Sequence, residues 1–68
     1  MADRLANSLK DERARRGWTQ AELAERVGVS RKTINTVENG VFVPSTLLAL
    51  KLARALDKPV EALFWLED

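Results

Sequence analysis

The sequence predicts an all-α fold, a compact domain of five short helices, and three observations carry that reading. Helix-starting and helix-ending residues alternate along the chain: Asn7 then Gly17, Thr19 then Gly28, Ser30 then Gly40. Apolar residues between these marks recur at helical spacing, most clearly Leu48, Leu52 and Leu56. No repeat, low-complexity segment or long linker interrupts the series.

The first helix is predicted at about 8–16, capped by Asn7 and closed by Gly17, with Asp3 as the cap of a longer version. The second spans about 20–27, because Thr19 and Glu22 have capping-box spacing and Gly28 can take the left-handed conformation that ends a helix. Ser30 caps a third helix of about 31–39, terminated by Gly40, so only three residues join helices two and three. Pro44 and Ser45 start a fourth helix at about 46–56, with Ala49 and Ala53 beside its leucine stripe. Pro59 starts a short fifth helix ending near Phe64. The tail "WLED" has two readings: it continues that helix, or it forms a short strand pairing with residues 3–6.

Composition narrows the chemistry. At 68 residues the chain is read as one domain, 1–68, and a domain this small buries only about 60% of the surface its unfolded chain exposes. With neither Cys nor His, disulfides, thiolate and imidazole metal sites, and Ser-His or Cys-His nucleophiles are excluded. No pair of carboxylates is marked as a sheltered acid and base, and the expectation is a non-enzyme that needs no cofactor and no metal. "MADRLANSLK" holds no apolar signal region, and no run is apolar enough to span a membrane, so the expected location is the cytoplasm, at the nucleoid. Net charge is only +1, yet residues 1–40 carry eight Lys or Arg against six Asp or Glu, and residues 41–68 three against four. The basic excess lies in the half containing the third helix.

That helix, "RKTINTVEN", separates into two faces when its residues are placed at about 100° steps. Ile34 and Val37 define the core side. Lys32, Asn35, Thr36 and Asn39 point away from it, with Arg31 and Thr33 on the flanks. Arg31 and Lys32 occupy the first turn, where the helix dipole disfavours cations by a few tenths of a kcal/mol. Phosphate compensates such an arrangement, since helix N-terminal N–H groups, the Ser30 hydroxyl and both cations attract an anion. Arg also matches guanine O6 and N7, Asn can pair with adenine, and a Thr methyl can meet a thymine methyl. A helix about 10–12 Å across fits a major groove about 12 Å wide. An exposed Arg-Lys pair alone is most often a solvated face; the short capped helix and three-residue turn before it favour DNA.

"TQAELAERVGVSRKTINTVENG" resembles the helix-turn-helix of the Cro and phage-repressor (XRE-like) family, through Thr19-Gln20, Leu23-Ala24, Gly28-Val29-Ser30, Ile34 and Glu38-Asn39-Gly40. The similarity extends over nearly the whole chain, and "PSTLLALKLARALDKPVEALFW" looks like the C-terminal helices of short stand-alone members of the cytolysin-repressor type. The resemblance implies a lambda-repressor-like domain, with the helix-turn-helix at about 19–40, that binds double-stranded DNA to regulate transcription, most simply as a repressor. It assigns Arg31, Lys32 and Thr36 to base reading, Ser30 and Thr33 to the groove edge, Asn39 to a phosphate, and Gln20 to the DNA backbone and to bracing helix three. Asn35 shares that face with a more variable role. Arg13 matches the position from which the family supplies an arginine to Glu38.

Four departures from the pattern are visible. Glu12 stands where the family usually has an apolar residue, which predicts a shifted or looser first helix. Val41 replaces a residue often basic and close to phosphate, and Val43 replaces a polar one. Trp18 also replaces an apolar family position, and it is expected to pack rather than to stack on bases.

A single short helix reads few base pairs, so the implied partner is a palindromic operator bound by a homodimer. Apolar residues beyond what the core requires mark about 45–68 as the dimerisation region, with Leu47, Val60, Leu63 and Trp65 as interface candidates. For Leu63, closing the monomer core is an equal reading. No ligand-binding domain is expected. The alternative function is a protein-interaction module, such as an antitoxin-like partner-binding domain.

Overall fold

The computed structural model describes residues 3–67. Five helices follow one strand and precede another: β1 (Arg4–Asn7), α1 (Leu9–Arg15), α2 (Gln20–Val27), α3 (Arg31–Glu38), α4 (Thr46–Leu56), α5 (Val60–Leu63) and β2 (Phe64–Glu67). The all-α expectation with a terminal β-pairing describes this arrangement. Of the two readings of the tail, the strand is the one adopted: β1 and β2 are antiparallel, with Leu5 opposite Leu66, Ala6 opposite Trp65 and Asn7 opposite Phe64. Asp3 therefore caps no longer first helix, because the residues after it are extended. Asp68 of the "WLED" reading lies outside the described residues.

Local chemistry sets the helix ends. Thr19 and Glu22 form the full capping box, the Thr19 hydroxyl accepting from Glu22 N at 3.1 Å and the Glu22 carboxylate accepting from Thr19 N at 2.9 Å. Ser30 and Ser45 accept from Thr33 N and Leu48 N in the same manner. Gly28 ends α2 with φ of +76°, a left-handed conformation that lets its N–H return to the Ala24 carbonyl at 2.8 Å. That turn brings α3 back across α2. At α1 the geometry is offset by one residue: the helix runs Leu9–Arg15, while the Asn7 side chain still accepts from Leu9 N at 3.1 Å.

The core lies between these helices and is made of Leu9, Leu23, Ala24, Val27, Ile34, Val37, Leu48, Leu52, Leu56, Leu63 and Phe64. Leu63 is fully buried, which corrects its expected place in a dimer interface: it closes the monomer core and offers no surface to a second chain. Phe64 is buried beside it, and Val60 is half-buried against the same cluster. Trp65 and Leu47 remain exposed, at 44% and 63%.

Glu12 does not loosen α1, as its departure from the family pattern predicted. Its carboxylate is 3.3 Å from Arg16 Nη1 and 4.0 Å from Arg15, and Arg16 Nη2 donates onward to the Leu56 carbonyl at the end of α4. A buried acid is tolerated here because it is paired, and its partner also satisfies a helix C-terminus. Trp18 packs against the core and is faced by its own cations, with the Arg26 guanidinium 3.9 Å and that of Arg16 5.8 Å from the ring centroid. Those contacts agree with the packing role.

Candidate nucleic-acid interface

The surface of α3 is built from its inner side outward. Ile34 and Val37 are buried, fixing the rotation of the helix on the core. Beside them Glu38 is held with only 3% of its side chain exposed: Arg13 Nε donates to Oε2 at 2.8 Å, Arg13 Nη2 to Oε1 at 3.2 Å, and Gln20 Nε2 to Oε1 at 3.1 Å. The paired carboxylate raises the Arg13 guanidinium above its ordinary range, chiefly through the side-chain hydrogen bond, so it is a permanent cation. Arg13 Nη1 also donates to the Trp18 carbonyl at 2.8 Å, joining α1, the α1–α2 turn and α3.

Gln20 extends this network outward. Its amide oxygen accepts from Asn35 Nδ2 at 3.4 Å, so one side chain bridges buried Glu38 and exposed Asn35. Bracing of α3 by Gln20 is thus visible in the free protein.

The C-terminal carbonyls of α3 are equally accounted for. Asn7 Nδ2 donates to Val37 O at 3.1 Å and, more distantly, to Glu38 O. The amides of Val41 and Phe42 both donate to Thr36 O, at 2.9 and 3.2 Å. Neither the Asn7 tie nor the folding-back of the loop was foreseen from the sequence. An Asn seven residues into the chain carried only a helix-cap signal.

The outer side has the opposite character. Arg31, Lys32, Asn35 and Asn39 are exposed, and Thr33 and Thr36 are half-buried. Among the described residues no carboxylate lies within ion-pair distance of Arg31 or Lys32. Together with Asn35 they border an open hollow of about 410 Å³. Ser30 Oγ is 2.9 Å from Thr33 Oγ1, which places the two hydroxyls expected at a groove edge together. Asn39 sits at the other end of α3, beside Gly40, Val43 and Arg4 of β1. The predicted reading residues therefore share one helix and one exposed side, with Asn39 apart at its end.

This arrangement can present cations, amides and a helix N-terminus to a polyanion. Among the described residues there is no group of carboxylates able to hold a metal ion and no helix long and apolar enough to cross a membrane.

Comparison with known proteins agrees with that chemistry. A helix-turn-helix family model matches residues 9–63. The chain is 47% identical over 64 residues to the HTH-type transcriptional regulator YgzD of Bacillus subtilis, covering 94% of this chain and 97% of that one. It is also 38% identical over 53 residues to the antitoxin HipB of Escherichia coli, covering 78% of this chain and 56% of HipB. Among solved structures, the restriction-modification controller protein C.AhdI from Aeromonas hydrophila superposes with a TM-score of 0.75 at 35% identity, covering 79% of this chain and 82% of that one. Proteins of this kind are DNA-binding regulators and not enzymes. The chain belongs to the helix-turn-helix family of Cro/C1-type DNA-binding transcriptional regulators.

Proposed function

We propose that the protein is a repressor that binds a palindromic operator as a homodimer, with α3 of each copy in the major groove. The observation that carries this reading is the pair of cations, Arg31 and Lys32, that have no carboxylate partner among the described residues and sit in the first turn of a helix whose other face is locked to the core. Arg31, Lys32 and Thr36 read bases, Ser30 and Thr33 lie at the groove edge, and Asn39 and Gln20 meet the backbone. Asn35 is held against Gln20 until DNA competes for it.

The domain divides in this reading into the helix-turn-helix at about 19–40 and a dimerisation region at about 45–68. Support for the latter comes from exposed apolar surface: Trp65 is exposed opposite Ala6 in the β-pair, two residues along from the Arg4–Glu67 ion pair at 3.1 Å. An aromatic ring with a charged rim is the composition of an interface centre. Val60 packs against the core, while Leu47 lies at the start of α4 near Phe42. The protein acts in the cytoplasm, at the nucleoid.

Selection of binding sites from a random double-stranded DNA library tests the reading. The expected product is a palindrome with half-sites about one helical turn, about 34 Å, apart. The likeness to HipB supports a second reading, an antitoxin-like module whose main partner is a protein. Folded protein that enriches no sequence at low salt would favour that reading.

A further inference from the structure

The loop that follows α3 is apolar and exposed, with Val41 at 78% and Phe42 at 48%. Exposure of an aromatic ring and a valine costs free energy that a polar loop would not, and neither residue belongs to the core. Their position is held by the chain: both amides donate to Thr36 O, which folds the loop against the last turn of α3. Ser30, Lys32, Thr33 and Thr36 of the reading surface line, with Val41 and Phe42, one hollow of about 330 Å³. The hollow therefore continues the surface assigned above to the major groove.

Thr36 sharpens its chemistry. The Thr36 hydroxyl lies 3.0 Å from both Lys32 O and Thr33 O and donates within its own helix. Its one proton is used there, and what it still offers a ligand is an acceptor oxygen and its methyl group. A Thr methyl, a Val and a Phe make an apolar wall inside a polar reading surface, with Lys32 at the rim. In the major groove DNA presents one apolar group, the 5-methyl of a pyrimidine. That methyl comes from thymine or from 5-methylcytosine.

We propose that this hollow is a subsite for a pyrimidine 5-methyl group of the operator, with Phe42 and the Thr36 methyl as its specificity-determining contacts. The assignment rests on α3 docking in the major groove and adds a base requirement to it. It also gives Val41 a use: it supplies apolar contact where a cation would hold phosphate.

The probe is the duplex enriched by the selection described above, in which each thymine is replaced in turn by deoxyuridine. This removes only the methyl and keeps every hydrogen-bonding group. At one position of each half-site, wild type is expected to bind the uridine duplex about three- to tenfold more weakly, the worth of about one buried methyl group. In Phe42→Ala the same replacement should change affinity by less than about twofold, the loss of coupling expected when one contact partner is gone. Val41→Ser, altered at a more exposed position, should also shrink the difference, and thermal melts establish that both variants fold.

If no thymine shows the effect but 5-methylcytosine binds better than cytosine at one position, and Phe42→Ala removes that gain, the subsite stands and its source is the modified base. An equal methyl effect in wild type and in Phe42→Ala overturns the proposal. So does the absence of any methyl effect; if self-association is then lost in Phe42→Ala, the hollow belongs to a second copy of the chain. Failure of folded protein to enrich any sequence removes major-groove docking itself, and the inference with it.

Discussion

On the inner side of α3, Glu38 is held by three hydrogen bonds from Arg13 and Gln20; on the outer side, Arg31 and Lys32 have no protein partner among the described residues. Both sides are rich in charge. On the inner side each charge is satisfied within the chain, which fixes the helix and leaves nothing for a ligand. On the outer side the cations sit against the helix dipole and are exposed, so their free energy is lowered by an anion from outside. Arginine has two uses here: Arg13 orients α3, and Arg31, in the proposed function, reads a base. Gln20 touches both sides, through Glu38 and Asn35.

If that separation holds, changes on the two sides must move different observables. The largest effect belongs to Glu38→Ala, which leaves Arg13 partly buried without its carboxylate and frees the Gln20 amide. A stability loss of about 3 kcal/mol is expected, the low end for breaking a buried pair, because Arg13 keeps the Trp18 carbonyl and some access to water. Urea unfolding measures it. Under conditions where the variant is still folded, its enriched operator sequence should match that of wild type. A changed sequence preference with unchanged stability would exchange the roles assigned to the two faces.

Arg31→Ala should leave the unfolding midpoint in place and cost about 1–3 kcal/mol of operator binding, with base preference relaxed at one position of each half-site. Affinities for single-base operator variants report it. Asn39→Ala should cost less, on the order of 1 kcal/mol, and should weaken every sequence equally, since a phosphate contact carries no base information. A loss at Asn39 confined to particular sequences would move that residue from the backbone to a base.

The same division explains what the sequence made legible. Helices α2, α3 and α4 were readable because each carries its own start signal within four residues: Thr19 with Glu22, Ser30 with Thr33, Ser45 with Leu48. The outer face of α3 was readable because helical periodicity assigns directions to side chains once Ile34 and Val37 are taken as core. Contacts between distant segments were not readable in this way. The β1–β2 pairing joins residues near opposite ends of the chain, and because four-residue strands carry little alternation it stood only as one of two readings of the tail. For Leu63 the core and interface readings stood level because a helical wheel shows which residues are apolar, not how much of the core remains to be filled. Glu12 looked like a defect because it was weighed against the family pattern alone; its i,i+4 spacing to Arg16 is a local pairing signal, and only the onward bond from Arg16 to the Leu56 carbonyl is non-local.

The smallest expected effect lies at the entrance of the helix-turn-helix, where an exposed charge serves the chain rather than a ligand. Hydrogen bonding to Thr19, first to its backbone N–H and then to its hydroxyl, holds the Glu22 carboxyl below its ordinary value of 4.5. A carboxylate with a lower pKa in the folded state adds stability that is fully present above the unfolded value and is lost as pH falls through the folded one. Gln in its place keeps an acceptor for Thr19 N but cannot titrate. The stability of wild type relative to Glu22→Gln should therefore be constant from neutral pH down to about 4.5 and should shrink below that, as measured by thermal melts of both proteins across the range. Operator binding at neutral pH should stay the same, because Glu22 belongs to the capping box and not to the outer side of α3. A stability gap that widens in acid would mean that the carboxylate is disfavoured in the folded state, and the capping geometry at Thr19 would then not be the one that holds α2 in solution.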